Sequence, residues 1–227
     1  MMNRMLDVIA RVLTLLDKTR TLDFSVLLLM RLLLAPVFIS AGMHKLANFS
    51  DIASWFGNAE WGLGLPFPVL MAALATAAEL VGGLFLLAGF MTRLVAIPLM
   101  ITMLVAALSV HWQHGWFAIA PSNPATSAAQ PLALMGIPAA QRSLENSAEV
   151  GERLQRARSL LREHGNYDWL IERGGLVVLN NGIEFSAIYF IMLLALFFYG
   201  AGRYVSADYW LARAMPGHRP DGPGQGR

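Results

Sequence analysis

The chain has no cysteine among its 227 residues, and charged side chains make up only 14% of it. The missing thiols exclude disulfides, thiolate metal sites, CxxC redox pairs and cysteine nucleophiles. A soluble domain usually carries about 25% charged residues, whereas this chain is 56% hydrophobic and has a mean hydropathy of +0.51. A soluble protein of this composition would have a largely apolar surface. The composition therefore predicts a protein that faces lipid.

Four stretches have the length and apolarity of membrane-spanning helices, which need about 20 apolar residues to cross a core about 30 Å thick. Only Met91, Thr92 and Arg93 join the second stretch to the third, which predicts an antiparallel helical hairpin. The sequence thus predicts an all-α fold, a four-helix transmembrane bundle that forms one domain over residues 24–211. Its spans are residues 24–43, 66–90, 94–110 and 183–201.

Three further segments flank or interrupt the predicted bundle. Residues 1–23 carry a polar stripe and a broad apolar face at helical spacing, which predicts an interfacial amphipathic helix rather than a cleaved signal peptide. A long external insertion, about residues 115–180, has helical periodicity over 143–164 and is expected to contain a surface helix. Within it, residues 176–179 have the pattern of a short strand. Residues 212–227 are expected to be a disordered cytoplasmic tail.

Basic residues only slightly outnumber acidic ones, 17 against 15, so the formal net charge is +2. No basic cluster is interleaved with aromatic residues, so the sequence predicts no nucleic-acid partner. Outside the long insertion, the basic residues concentrate in the N-terminal segment, the tight turn at Arg93 and the C-terminal tail. The insertion contains six arginines, but long loops translocate largely regardless of charge. By the positive-inside rule, this distribution predicts four spans with both termini in the cytoplasm.

Arg31 in the first span and Glu79 in the second are the ionisable residues deepest in the predicted spans. Counted from the inner helix ends, their depths differ by about 6 Å at a rise of 1.5 Å per residue. Because an unpaired charge in hydrocarbon is costly, we expect these two residues to form an ion pair or to share a polar cavity. Two roles stay open for the pair: fixing the helix register, or acting in proton transfer and quinone binding.

A second polar group is predicted at the outer ends of the spans. His44 follows the first span, His111 and His114 follow the third, and Glu184 begins the fourth. Neutral imidazoles one helical turn apart, together with a carboxylate, suit a borderline metal such as copper. The alternative interpretation is that these histidines are amphipathic anchors at the membrane interface.

The chain resembles the DoxX family of small four-span membrane proteins over roughly residues 24–211. The resemblance is carried by Arg31 and by the motifs at residues 40–46, 78–83, 89–94, 182–185 and 200–203, followed by Ser206 and Asp208. It implies a multi-pass protein of the bacterial inner membrane that serves as an accessory subunit of membrane redox systems. It transfers no residue-level mechanism, so whether the chain has catalytic activity of its own stays open. The long third connection exceeds the compact form of the family.

A narrower resemblance is to the Hvf-type subgroup, whose members sit beside copper-binding modified peptides and are named as maturation proteins for them. It is carried by residues 55–58, 61–68, 110–116 and 164–170. This resemblance implies copper as the metal, and a copper-binding modified peptide with its maturation enzymes as partners.

Three functional hypotheses follow from the residues and the resemblance. The first is an accessory protein for redox or copper handling, in which His44, His111, His114 and Glu184 bind the metal or meet the peptide. The second is a quinone-reactive subunit of a membrane oxidoreductase, in which Arg31 and Glu79 exchange protons with the quinone. The third is a small peptide or metal transporter. Four spans make a narrow pathway, so transport predicts a homodimer.

Overall fold

The computed structural model describes residues 2–215, in which helices are the regular secondary structure and no named strand occurs. The last helix reaches Ala214, so the first residues of the predicted disordered tail are helical, and residues 216–227 lie outside the described part. The α-helices are α1 (Met2–Thr19), α2 (Asp23–Ala47), α3 (Phe49–Gly57), α4 (Pro68–Ala88), α5 (Thr92–Val105), α6 (Gln130–Leu134), α7 (Pro138–His164), α8 (Tyr167–Ile171), α9 (Glu184–Tyr199) and α10 (Ala207–Ala214).

The chain divides into two compact units. Unit one contains the described residues of 2–104 and 189–215, and unit two is Val105–Ile188. The predicted external insertion therefore falls within unit two, together with the last residues before it and the start of α9.

Three helical stretches within residues 2–215 are long and apolar enough to cross a membrane: Ile9–Ala47, Pro68–Ala88 and Thr92–His114. They contain the first and third predicted spans, and the second predicted span, 66–90, extends two residues beyond Pro68–Ala88 at each end. The fourth predicted span is the apolar helix α9, whose 16 residues extend about 24 Å at 1.5 Å per residue. The structure therefore shows a multi-pass helical membrane protein, while the count of four spans stays a prediction.

The N-terminal helix α1 forms where the polar stripe predicted it, and it leads through a short 3₁₀ turn at Arg20–Leu22 into α2. Its large apolar side chains are exposed, among them Leu6, Val12 and Leu16. This pattern suits a helix whose apolar face contacts lipid.

The core of unit one is built from α2, α4, α5 and the part of α9 in this unit. Eight buried apolar residues from these helices form one cluster: Leu34, Ala35, Phe38, Leu86, Ala96, Leu99, Leu193 and Leu196. Other large apolar side chains of the same helices are exposed, such as Leu29, Leu74 and Ile101. Apolar side chains on both the inside and the outside are what a helix bundle in lipid requires.

Glycines set the register between α2 and α4, which pack in close contact. A Cβ atom added to Gly42 would lie 2.7 Å from the backbone nitrogen of Leu80, and one added to Gly83 would lie 2.9 Å from Cγ1 of Ile39. Small residues at such positions let two membrane helices approach closely. The contacts place the end of α2 beside the middle of α4.

The connection between α4 and α5 is as tight as predicted. Gly89 ends α4 in the left-handed conformation, with φ +64°, and its N–H donates to the Leu86 carbonyl. The N–H of Phe90 donates to the Phe85 carbonyl, which completes a cap of the Schellman type. α5 then begins at Thr92 and continues through a π-helical stretch, Ala106–His111.

Unit two has its own small core, in which Ala120 packs with Val150 and Leu154 of α7. The predicted surface helix over 143–164 is part of α7, which starts earlier because Pro138 occupies its first turn. The predicted strand at 176–179 is wrong for the described residues, where this stretch forms only an isolated bridge between Ile119 and Leu179. Two backbone hydrogen bonds accompany this bridge, from the Ala120 N–H to the Val178 carbonyl and from the Asn180 N–H to the Ala118 carbonyl.

Candidate functional site

A buried ion pair joins α2 to α4. The ammonium group of Lys45 donates a hydrogen bond to Oε2 of Glu79. Glu79 is only 4% exposed, whereas the side chain of Lys45 is 21% exposed. Lys45 stands near the end of α2 and reaches inward to Glu79 through its long, flexible side chain.

The register of α2 and α4 explains why Glu79 meets Lys45 and does not form the expected ion pair with Arg31. Leu80 lies against Gly42, one helical turn from Lys45 on α2. Arg31 lies instead at the other end of α4, beside Gly89. A Cβ atom added to Gly89 would be 1.7 Å from Nη1 of Arg31. Ten residues of α4 separate Gly89 from Glu79, which corresponds to about 15 Å along the helix.

Arg31 is fully buried at this end of the bundle. Its Nη2 donates to the carbonyl oxygen of Val205 at 2.9 Å. Its Nε and Nη1 have no hydrogen-bond partner among the described residues. The absence of a side chain at Gly89 makes room for the guanidinium group, so Gly89 serves both the turn and the buried charge.

Asp208 in α10 binds the same turn from the other side. Its carboxylate accepts hydrogen bonds from the N–H groups of Met91, at 2.6 Å, and Thr92, at 2.9 Å. Its own N–H donates to the Gly89 carbonyl at 2.9 Å. The negative charge of Asp208 also attracts Arg31. Asp208 therefore caps the start of α5 and provides a counter-charge for the buried guanidinium group.

A second contact holds the segment before α10 against α2. Arg203 donates to Oδ1 of Asp23 at 2.5 Å and to the Arg20 carbonyl at 3.4 Å. The hydrogen bond to Asp23 raises the pKa of Arg203 above its ordinary value, so this side chain keeps its charge. Together with the Arg31–Val205 bond, it ties the segment after α9 to the bundle of unit one.

The predicted metal ligand in unit one, His44, is exposed on the last turn of α2. Its Nδ1 lies 3.4 Å from the side-chain nitrogen of Asn48. His44 is next to Lys45 in the chain, but it takes no part in the Lys45–Glu79 ion pair.

The three predicted ligands in unit two have separate partners. Nδ1 of His111 lies 2.7 Å from the Asn181 carbonyl, and since a carbonyl only accepts, this nitrogen donates and leaves Nε2 free. Nε2 of His114 lies 3.4 Å from Nε2 of Gln113. Oε2 of Glu184 accepts from the N–H of Ala118 at 2.9 Å. Within residues 2–215, no three histidine or acidic side chains lie close enough together to hold a metal ion. Copper binding stays a prediction.

Asn180 fixes the loop that carries His114. Its side-chain nitrogen donates to the carbonyls of His114, at 2.6 Å, and Phe117, at 2.8 Å. The neighbouring Asn181 has a positive φ of 59°, a conformation that asparagine tolerates better than most residues. The sequence pattern of residues 180–182 predicts only a turn, but Asn180 also holds the loop that carries His114.

Two residues of these contacts were missed as site residues, and their sequence signals are weak. Lys45 stands at the predicted outer end of a span, where a lysine is expected to reach toward the interface rather than inward. Asp208 follows the last predicted span. Its carboxylate accepts a hydrogen bond from the N–H of Met91, which lies 117 positions earlier in the sequence. The sequence signal for Asp208 is its place among the residues that carry the family resemblance.

Residues 26–112 match the model of the DoxX family. The matched part runs from α2 to the π-helical stretch and includes Arg31, Lys45, Glu79 and His111, whereas His114, Glu184 and Asp208 lie beyond it. No curated protein and no solved structure shows significant similarity to the chain. The chain therefore contains a DoxX-family domain in a multi-pass membrane protein, and the resemblance to the Hvf-type subgroup stays an interpretation.

Proposed function

We propose that this chain is an accessory subunit of a redox system in the bacterial inner membrane, with both termini in the cytoplasm, and that it exchanges protons with a quinone at the Lys45–Glu79 ion pair. The observation that carries the proposal is the pair itself, which places a buried carboxylate and a partly accessible ammonium group between two apolar helices. Ionisable residues inside membrane helices often mark proton relays or ligand sites.

The pair can hold one proton in either of two places without leaving a lone buried charge. In the ionic form the proton is on Nζ of Lys45, and in the neutral form it is on Oε2 of Glu79. Loss or gain of a proton at an unpartnered group would create an isolated charge in a low-dielectric interior, which is costly.

The residues present fit a quinone headgroup, because the partly exposed ammonium group of Lys45 can donate to a quinone oxygen. A bound quinone would supply two-electron, two-proton chemistry, with the electrons passed to or from a partner protein. The chain's own part would be to donate the Nζ proton of Lys45 to a quinone oxygen and to take a replacement proton from water at the partly exposed Nζ, which returns the pair to its ionic form.

The first test is the quinone content of the purified protein. Glu79→Gln keeps the shape of the side chain but removes its charge, which leaves Lys45 without a counter-charge. We expect native protein in mild detergent to retain extractable quinone, and Glu79→Gln to retain about tenfold less, which corresponds to about 1.4 kcal/mol of binding free energy.

Glu60→Gln is the matched control, since Glu60 is exposed in the connection between α3 and α4. It should retain quinone as the native protein does. Native protein without quinone, or equal quinone in native protein and Glu79→Gln, would contradict the proposal.

We propose copper handling with a modified peptide as a second candidate function, favoured by the histidines of unit two. The bond from Nδ1 of His111 to Asn181 orients the ring and leaves Nε2 free to bind a metal. His114 follows on an exposed 3₁₀ turn. Two imidazoles do not complete a metal site, so a copper-binding peptide would have to supply the other ligands.

Copper content after loading with Cu(I) and a copper-binding peptide tests this second candidate. We expect near-stoichiometric copper in the complex with native protein and about a tenfold loss in the folded His111→Ala/His114→Ala double variant. His164→Ala is the control, since His164 is exposed at the end of α7 and contacts Glu163. An unchanged copper content in the double variant would contradict this candidate function and would favour the interpretation of His111 and His114 as interfacial anchors.

A further inference from the structure

Unit two contains an open cavity of about 880 Å³, of whose lining residues the functions proposed above use only His114. Its walls come from the loop after the π-helical stretch, from the segment around α6 and from the start of α7. Trp112 and Trp116 line one part, and Leu132 and Ile137 line another. The volume lies in the range of about 300–1,000 Å³ that is typical of ligand pockets.

Arg142 gives the lining a positive charge. The lining residues include no aspartate or glutamate. No ion pair or side-chain hydrogen bond joins Arg142 to another part of the chain within residues 2–215. The guanidinium group at the cavity is thus available to an anion, and it suits the planar oxygen pair of a phosphate or carboxylate.

The other polar groups of the lining differ in their availability. The side-chain nitrogen of Asn180 already donates to two carbonyls and has no donor left for a ligand. Ser143 and Asn146 stand one and four residues after Arg142 on α7 and also line the cavity. They extend the polar edge around Arg142, while the tryptophans and aliphatic residues make the rest of the wall apolar.

We propose that this cavity binds one anionic phospholipid of the surrounding bilayer, with its phosphate beside Arg142 and an acyl chain along Trp112, Trp116, Leu132 and Ile137. Trp112, one of the lining residues, belongs to the last turn of the candidate membrane span Thr92–His114. Bilayer lipids are therefore the amphiphiles most available to the cavity. Tryptophan is enriched where protein meets lipid headgroups. The positive charge of Arg142, in a lining without acidic residues, favours an anionic headgroup over a zwitterionic one.

Native mass spectrometry of the full-length, delipidated protein in neutral detergent tests the proposal by titration. The three probes are phosphatidylglycerol, phosphatidylcholine with the same acyl chains, and inorganic phosphate. We expect one phosphatidylglycerol to bind at least about tenfold more tightly than phosphatidylcholine, and inorganic phosphate not to bind, because the acyl chain supplies the apolar contact.

Two variants separate the charge from the shape of the cavity. Arg142→Gln should weaken phosphatidylglycerol binding about tenfold and remove the preference over phosphatidylcholine. Ala140→Trp places a large side chain at a buried lining position and should weaken both lipids. Arg156→Gln is the control for Arg142→Gln, because Arg156 is an exposed arginine of the same helix outside the lining.

Equal affinity for the two lipids in native protein would overturn the proposal, as would unchanged phosphatidylglycerol binding in Arg142→Gln. Displacement of the lipid by a copper-binding peptide at equal concentration would also overturn it and would assign the cavity to a polypeptide. The proposal does not depend on the Lys45–Glu79 site, so Glu79→Gln should bind phosphatidylglycerol as the native protein does.

Discussion

Asp208→Ala is expected to lower the melting temperature of the purified protein by about 10 °C or more. The fully buried Arg31 would lose the negative charge that attracts it, and the N–H groups of Met91 and Thr92 would lose their acceptor. A hydrogen bond to a charged group typically contributes about 1.5–3 kcal/mol, and the carboxylate of Asp208 accepts two of them. For a chain of this size each kcal/mol corresponds to about 2–4 °C. Thermal unfolding in detergent, followed by tryptophan fluorescence, measures the effect.

A second substitution tests whether the buried charge is the cause. Arg31→Met in the Asp208→Ala background removes the uncompensated guanidinium group and should recover part of the lost stability. Asp51→Ala is the control, because Asp51 is exposed in α3, and it should shift the melting temperature little. If Arg31→Met and Asp208→Ala simply add, the two residues do not interact.

Gly42→Val is expected to cause the second largest loss, about 3 kcal/mol, at the upper end of the usual cost of overpacking a core. Atoms added at Gly42 meet the backbone nitrogen of Leu80 at 2.7 Å and its Cα at 2.9 Å. Backbone atoms of a helix cannot rotate away, so α2 and α4 must separate. Separation also moves Lys45 from Glu79, and we expect the melting temperature and the retained quinone to fall together.

The size of the substituent provides an internal comparison for this prediction. Gly42→Ala should destabilise less than Gly42→Val, because it adds one carbon instead of three. Gly175→Val is the matched control, since nothing lies within 4 Å of a Cβ atom at Gly175. Equal melting temperatures for Gly42→Val and Gly175→Val would show that α2 and α4 are not in this register.

Local sequence properties predicted the helices well where long apolar runs set them. The first two spans were predicted at 24–43 and 66–90, and the structure has α2 at Asp23–Ala47 and α4 at Pro68–Ala88. The short connection before Thr92 was equally clear, because three residues leave no choice but a tight turn. The short strand at 176–179 failed because four residues of β-type pattern do not supply their own hydrogen-bond partner.

The candidate site was less predictable because it depends on the neighbours of each residue. The sequence identified Glu79 and Arg31 as buried charges, and both are buried. It assigned them to each other by depth alone, whereas close contacts at Gly42, Gly83 and Gly89 shift α2 along α4. That shift places Lys45 beside Glu79 and leaves Arg31 to Val205 and Asp208.

The sequence by itself determined that this protein is helical and faces lipid, because apolar composition, run length and low charge are local properties of the chain. Only the tertiary structure decided which charged residues are partners and that the carboxylate of Asp208 caps α5. It alone also showed that one arginine and two tryptophans line the same cavity. The physical reason is that hydrophobicity acts on each segment independently, whereas pairing depends on helix register, which a few glycine contacts set.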